Sequence, residues 1–478
     1  MITFNDQLQP ITLKACYEKD KLPAAVVKEH GVATFISELK TIFLFFKNPE
    51  QHCKYTLKRV LGKFLFKNKH SLNIDVISFR PVAACPTLRT VTETALFFDH
   101  SLFSLKTKSK SKSKSPTINL IYDETMAGGC DVKPSPNPTT PMELKRMTAN
   151  ELFELSKIKM EYVALARDWQ DMPPNVCYAP KFAEMINVAA KKIPHLKVTI
   201  LNEAQIKAQN MNLLLGVNSG SRHEPRVVIL EYNGDPTTES KTAIVGKGVT
   251  FDTGGYNLKP SPYMVGMKMD MSGAAIAAST VMAIAKAGLK TNVCGVACLV
   301  ENAIGAEGTI PESIITSKNG KTVQIDNTDA EGRLILADGI TYAIREIGHI
   351  KQIIEMSTLT GAVLVALGEH LTGAFVTDDK MFRQFADAAD RAQEEIWRMP
   401  FNYDFRTQIE NSPIADITNC PNTRYGGACL AAAFLNQFTE SKPFIHLDIA
   451  GTATDGSMMK GRGTGVMLRT IFEYLQNS

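Results

Sequence analysis

Short apolar runs alternate along most of this chain with longer stretches of helical periodicity. Residues 227–232, 243–245, 292–300, 350–356 and 444–449 are largely apolar and of strand length, as expected for strands buried on both faces. Residues 274–285, 334–347, 382–398 and 428–438 have the length and spacing of helices. Strands alternating with helices predict a mostly parallel central sheet covered by helices. Ligands of such sheets belong at the carboxyl ends of the strands. Nearer the amino terminus, 41–46 and 73–79 also have strand character, with helical stretches between them. The expected fold is α/β with two domains, a smaller N-terminal one and a larger C-terminal one.

The boundary falls where this periodicity is lost. Lys106, Lys108, Lys110, Lys112 and Lys114 alternate with serine or threonine, a low-complexity basic run expected to be solvated. Such a run can neutralise nucleic-acid phosphates. It holds no aromatic residue, however, and a loop between two strands accounts for it better. Pro134, Pro136, Pro138 and Pro141 predict an extended linker. Residues 143–169 then read as a helix, with Leu144, Leu152, Leu155, Ile158, Val163 and Leu165 near helical spacing. The expected division is an N-terminal domain over 1–132 with a basic loop at 106–115, a linker over 133–150, and the larger domain over 151–478.

Composition narrows the class. A length of 478 residues suits two or three domains of about 100–200 residues each. Hydrophobic residues at 44% and charged residues at 21% are ordinary for a globular chain that buries large cores. A net charge of +4 gives no strong attraction to polyanions. Apolar runs such as 428–435 fall short of the ~20 residues a bilayer span needs. The first residues lack the basic-then-apolar pattern of a secretory leader, so a cytoplasmic location without membrane association is expected. The nine cysteines are odd in number and scattered, and Cys294 and Cys298 are too far apart for a Cys-x-x-Cys pair. They read as buried apolar residues of a reducing compartment. No His-Glu-x-x-His and no Gly-x-Ser-x-Gly occurs. His446, inside an apolar run, reads as a hydrogen-bonded core residue.

Candidate chemistry concentrates in two segments. In Asn327-Thr328-Asp329-Ala330-Glu331-Gly332-Arg333, two carboxylates and a guanidinium stand at alternate positions. If the segment is extended, its period of two puts all three on one side. A divalent cation near the carboxylates and an anion near the arginine would offset the crowded charge. A solvated polar loop is the plainer alternative. Upstream, a strand at 242–245 breaks into glycines, Gly246, Gly248, Gly254 and Gly255, around Lys247 and Asp252. Glycines there let the backbone approach a ligand or take positive φ. Lys259 and Asp270 follow, and Ser272-Gly273 opens a helix. Lys247 is not a phosphate-loop lysine, because Gly248 follows it where serine or threonine is required.

Together the two segments resemble the leucyl aminopeptidase family of two-metal exopeptidases. That family's hallmark, Asn-Thr-Asp-Ala-Glu-Gly-Arg-Leu, stands intact at 327–334. Its Gly-Lys-Gly, Phe-Asp-x-Gly-Gly, Lys-Pro and Met-Lys-x-Asp-Met elements follow in order from Gly246 to Met271. The resemblance covers the chain from about residue 151 to the end.

The resemblance implies five metal ligands. Lys247, Asp252, Asp270 and Glu331 would hold one ion, and Asp252, Asp329 and Glu331 the other. Four carboxylates balance two divalent cations, and a lysine amine ligates only when deprotonated beside such charge. Zinc or manganese is implied, with cobalt or magnesium as alternatives. By the same resemblance Lys259 polarises the scissile carbonyl and Arg333 anchors a bicarbonate. Met267, Thr358, Leu359, Gly361 and Ala450 would line an apolar pocket for the first side chain. The implied activity is release of N-terminal amino acids, leucine or other apolar residues favoured, by a water or hydroxide bridging two metals. A cytoplasmic homohexamer acting on peptides is the implied setting. One departure stands out: Thr309-Ile310-Pro311-Glu312-Ser313 replaces the family's usual Arg-Pro-Gly-Asp stretch, leaving the ligand positions untouched. A two-metal phosphoesterase and a non-enzymatic binding role for the N-terminal domain are the competing readings.

Overall fold

The computed structural model describes residues 1–6, 8–47, 55–68, 70–79, 87–101, 103–106, 116–122, 147–456 and 461–477. The basic run past Lys106 and the expected linker up to residue 146 lie outside the described residues. Two compact units form, one from Met1–Glu161 with Arg391–Gln393 and one from Tyr162–Asp390 with Glu394–Ser478.

In the smaller unit six strands pair in the order Ile2–Phe4, Ile118–Ile121, Leu72–Asp75, Thr12–Tyr17, Thr41–Phe46, Ala33–Ile36. All pairings are parallel except the last. Helices Thr56–Lys67 and Thr87–Asp99 bring Leu57, Leu61 and Val91 into one core with Leu13, Leu44, Phe46 and Ile74. The run 73–79 is a strand only over Leu72–Asp75, and Val76–Phe79 is a 3-10 turn. Ser78 donates its hydroxyl to the Asp75 carbonyl at 2.6 Å, a local bond that competes with strand pairing. The helix expected over 143–169 spans Ala149–Asp171. Thr148 and Glu151 start it with a capping box: Thr148 N donates to Glu151 Oε2 at 2.8 Å, and Glu151 N to Thr148 Oγ1 at 3.2 Å. Lys159 of this helix pairs with Glu93 at 2.6 Å, and both side chains are buried.

In the larger unit eight strands pair in the order Ile396–Met399, Thr372–Val376, Phe444–Asp448, Ile350–Ser357, Lys241–Asp252, Asn292–Asn302, Arg226–Asn233, Leu196–Leu201. The four from Phe444–Asp448 to Asn292–Asn302 are mutually parallel, and antiparallel pairings flank them on both sides. Helices cover both faces. Gly246 faces helix Ser272–Ala287, whereas Val245 and Cys298 face Gly339 of helix Gly332–Tyr342.

Two expected boundaries move. The central strand does not stop at Val245 but runs on through Gly246 and Gly248 to Asp252. A Cβ at Gly246 would lie 2.3 Å from the Gly273 carbonyl oxygen, and one at Gly248 2.5 Å from that of Cys298. These glycines permit close approach within a strand and do not end it. The run 382–398 resolves into helix Asp379–Ala392 and strand Ile396–Met399, separated at Gln393, which takes φ +54°. His446 is fully buried, and its Nδ1 hydrogen-bonds Glu355 on the neighbouring strand. Cys16, Cys177, Cys294, Cys298 and Cys429 are buried free thiols. Among the described residues, no helix is long and apolar enough to cross a membrane.

Two buried charges generate tests of stability. Lys159→Met should cost about 3–5 kcal/mol, because it removes one member of a buried ion pair. Adding Glu93→Leu should recover most of that loss in urea unfolding, and strictly additive losses would refute the pairing. Asp338, wholly buried in helix Gly332–Tyr342, accepts from Leu214 N at 3.0 Å and Lys318 N at 2.8 Å. Burial nevertheless pushes its carboxyl up to about 7. The folded state therefore keeps a proton that the unfolded chain, at ~3.9, has released. Stability from this group falls as pH rises from about 4 to about 7 and is level above. Wild type should gain on Asp338→Asn as pH drops from about 7.5 to 5; a constant difference would refute the assignment.

Candidate metal centre

Lys247 rises from the middle of the strand Lys241–Asp252, and Asp252 closes that strand. Glycine makes room for the lysine stem: a Cβ at Gly332 would stand 2.6 Å from Lys247 Cε. The ammonium donates to Asp270 Oδ1 at 2.7 Å and to the Thr358 carbonyl at 3.0 Å. It also pairs with Glu331 Oε1 at 2.8 Å. Asp270 follows the turn Met267–Met269, and Thr358 follows the strand Ile350–Ser357. The Thr358 hydroxyl donates to Asp270 Oδ1 at 2.7 Å.

Asp252 is held by neutral donors, Gly254 N at 2.9 Å and Asn302 Nδ2 at 2.8 Å, both on Oδ1. Gly254 and Gly255 take φ +88° and +62°, a conformation that only glycine adopts freely. The chain folds back there, and Lys259 N bonds the Thr253 carbonyl. Lys259 Nζ then reaches Asp252 Oδ2 at 2.9 Å and also Asp329 Oδ1. Asn257 and Thr328 fasten this loop to the second motif. Thr328 N donates to Asn257 Oδ1 at 2.8 Å, and Asn257 N to Thr328 Oγ1 at 2.9 Å.

The second motif is not extended. Ala330 N bonds the Asn327 carbonyl at 3.1 Å, and Asp329 N donates to Asn327 Oδ1 at 2.8 Å, which closes a turn. Glu331 then takes helical angles, φ −78° and ψ −35°, and helix Gly332–Tyr342 begins. Asp329 and Glu331 converge because the turn folds them together. One carboxylate oxygen from each of Asp252, Asp329 and Glu331 lies within 4.8 Å of the other two. Arg333 instead donates through Nη1 to the Asn419 carbonyl at 2.6 Å.

Four carboxylates and two ammonium groups therefore share one largely buried space. Burial alone would draw Lys247 down, but Asp270, Glu331 and Asp252 outweigh it and hold the ammonium above the ordinary lysine range. Asp252, Glu331 and Asp329 do the same for Lys259. Burial raises Asp270 well above the usual carboxylate range, and Asp252 and Glu331 add to the rise. Asp329 is pushed up to about 7 by burial and by the same two neighbours, Glu331 and Asp252. Asp270 Oδ2 and Glu331 Oε2 are buried without a hydrogen-bond partner. Unpaired anionic oxygens beside excess negative charge are what a divalent cation satisfies, so the residues present fit a metal centre. Burial lowers the Arg333 guanidinium, although Cys420, Glu331 and Asp448 oppose it. Its buried Nε has no partner.

The expected pocket residues lie nearby in the fold. Half-buried Met267 begins the turn that leads to Asp270. Thr358, Leu359 and Gly361 follow one parallel strand, and Ala450 follows the next. Leu359 N and Ala450 N both donate to Asp448 Oδ1 at 3.2 Å, which brings the two segments together. A Cβ on Gly361 would meet nothing within 4 Å. Asn257, Asn302, Asn419 and Asp448 had no role legible in the sequence. Position at a strand end was the available signal for Asn302 and Asp448. Asn419 offered none, because only the fold brings it to Arg333. The departing loop is fastened elsewhere: Thr309 donates to the Gly216 carbonyl at 2.7 Å and to Ser219 Oγ at 3.0 Å.

The family model for the cytosol aminopeptidase family, catalytic domain, matches residues 164–472. A probable cytosol aminopeptidase of Mycoplasma genitalium is 38% identical over 426 residues, 87% of this chain and 88% of that protein. One of Mycoplasma pneumoniae is 38% identical over 421 residues, 87% of each. One of Metamycoplasma salivarium is 43% identical over 323 residues, which span 68% of this chain but 61% of that protein. Among solved structures, the bottromycin maturation enzyme BotP in complex with Mn superposes with a TM-score of 0.81 at 26% identity, covering 98% of this chain and 99% of that one. The family match contains all five expected ligand positions, and the chain belongs to the cytosol aminopeptidase family of peptide hydrolases.

Proposed function

We propose that this chain is a metal-dependent aminopeptidase that releases N-terminal amino acids from peptides, with leucine and other apolar residues favoured. The observation that carries the reading is the convergence of Asp252, Asp329 and Glu331 oxygens within 4.8 Å of one another, beside the Lys247–Asp270 pair. Lys247, Asp252, Asp270 and Glu331 would hold one cation, and Asp252, Asp329 and Glu331 the other. Zinc or manganese suits such a set of oxygens with one amine. Bound there, divalent cations supply a Lewis acid and a nucleophile at neutral pH.

The chain's own groups complete the site. Lys259 is partly exposed at the edge of the carboxylate cluster, where its ammonium can meet a developing oxyanion. Arg333, with its unpaired Nε, would hold a bicarbonate, an anion suited to carrying a proton. Met267, Thr358, Leu359, Gly361 and Ala450 would receive the first side chain. Peptides are the partners in this reading, and a cytoplasmic homohexamer is its setting.

Release of free leucine from a leucyl peptide tests the proposal, using metal-stripped protein to which manganese, zinc or cobalt is returned. Phosphate release from a phosphoester, with no amino acid released, would replace it. Glu331→Gln and Asp252→Asn should each reduce turnover to background while the circular-dichroism spectrum stays unchanged; normal turnover in either refutes the ligand set. Lys259→Ala should lower kcat about 10²–10³-fold, the usual effect of losing one oxyanion donor, with metal content retained. Parallel loss of metal and turnover would instead make Lys259 a structural cation.

A further inference from the structure

We infer that Asp448 is a positioning residue that sets the shape of the first side-chain pocket, and with it the preference among N-terminal residues. The inference deepens the aminopeptidase reading and rests on it.

Asp448 ends the strand Phe444–Asp448 and is fully buried. A carboxylate in that position must be met by donors, and here they come from the two segments assigned to the pocket. Leu359 N and Ala450 N donate to Oδ1, each at 3.2 Å, and Thr360 Oγ1 donates to Oδ2 at 2.6 Å. Thr360 Oγ1 accepts in turn from Val363 N at 3.1 Å, capping helix Gly361–Leu367. One side chain thus fixes the backbone at 359 and 450, the side chain of Thr360, and through the cap the start of the helix at Gly361. The surrounding wall is apolar: Ala362, Leu367 and Ala450 pack against Val363, Phe375 and Ala428. Asp448 directs these three bonds to the pocket segments and none of them to the five ligand positions.

Selectivity should therefore respond to Asp448 more than the chemical step does. One methylene in an apolar pocket changes kcat/KM about 10–200-fold, so a small shift of the 359–361 turn or of Ala450 alters the ranking of leucine against alanine. An amide has one acceptor oxygen where a carboxylate has two. Asp448→Asn cannot accept from both the backbone pair and Thr360.

The test compares leucyl- and alanyl-p-nitroanilide on the full chain at saturating manganese, with bound metal measured for each variant. Asp448→Asn and Thr360→Val should raise the leucyl KM and cut the leucyl-to-alanyl ratio of kcat/KM about tenfold. Metal content should match wild type, and Thr360→Ser, which keeps the hydroxyl, should keep the wild-type ratio. An unchanged ratio in both variants, or an equal fall for both substrates, overturns the inference. If Asp448→Asn does not fold, Thr360→Val decides the question alone. Failure of wild type to release any amino acid would instead sink the aminopeptidase reading itself.

Discussion

Four acidic side chains crowded into one buried space form the constraint on which the rest of the structure depends. At close range in a medium of low polarity, like charges repel strongly unless cations stand among them. Asp252, Asp270, Asp329 and Glu331 meet that demand in part through Lys247 and Lys259. The rest of the restraint is neutral. Asn302 and Gly254 N hold Asp252, Asn327 holds the backbone of Asp329, and Thr358 holds Asp270. Neutral donors fix a carboxylate in place without cancelling its charge. Asp270 and Glu331 each bind the protein through one oxygen and leave the other unpaired. The protein thus orients these acids while keeping their affinity for a cation.

Packing supplies the space in which that crowding is possible. Helix Ser272–Ala287 can press against the central strand only because Gly246 and Gly273 face each other, with a Cβ on either falling within 2.3 Å of a carbonyl oxygen. Helix Gly332–Tyr342 meets Lys247 through Gly332 in the same way. Interiors at this density transmit displacement. A methyl group at any of these glycines would move Lys247, Asp270 or Glu331 outward and loosen the cluster. The buried Asp338 secures the same helix further along, through Leu214 and Lys318.

Chemical content was more legible in the sequence than conformation. Alternating apolar runs and helical stretches were enough for the parallel sheet and its helices, because burial on both faces leaves a continuous apolar run that any such strand must show. The motif at 327–333 announced convergent charge, but its period of two is shared by an extended strand and by a turn leading into a helix. The side chain of Asn327 decides for the turn by accepting from Asp329 N, a local bond that spacing alone does not reveal. Glycine at 246 and 248 looked like a break for a related reason: a close-approach glycine and a turn glycine are the same letter. Gly254 and Gly255, which do take positive φ, stand only a few residues away. Asn302 and Asn419 act across 50 and 86 residues of chain, a distance at which no local pattern survives.

In the proposed reading chemistry and selectivity are held by different segments, and Thr358 is the junction between them. Its carbonyl accepts from Lys247 and its hydroxyl donates to Asp270, whereas the next two residues are bound to Asp448 on the adjacent strand. In the proposed reading, change in the segments tied to Asp448 retunes the pocket while Lys247 and Asp252 stay where the central strand puts them. Change at Thr358 itself has no such freedom, because one residue contacts two ligand positions at once. Substitutions that alter substrate preference should therefore gather at 359–361 and around 450 and spare 358.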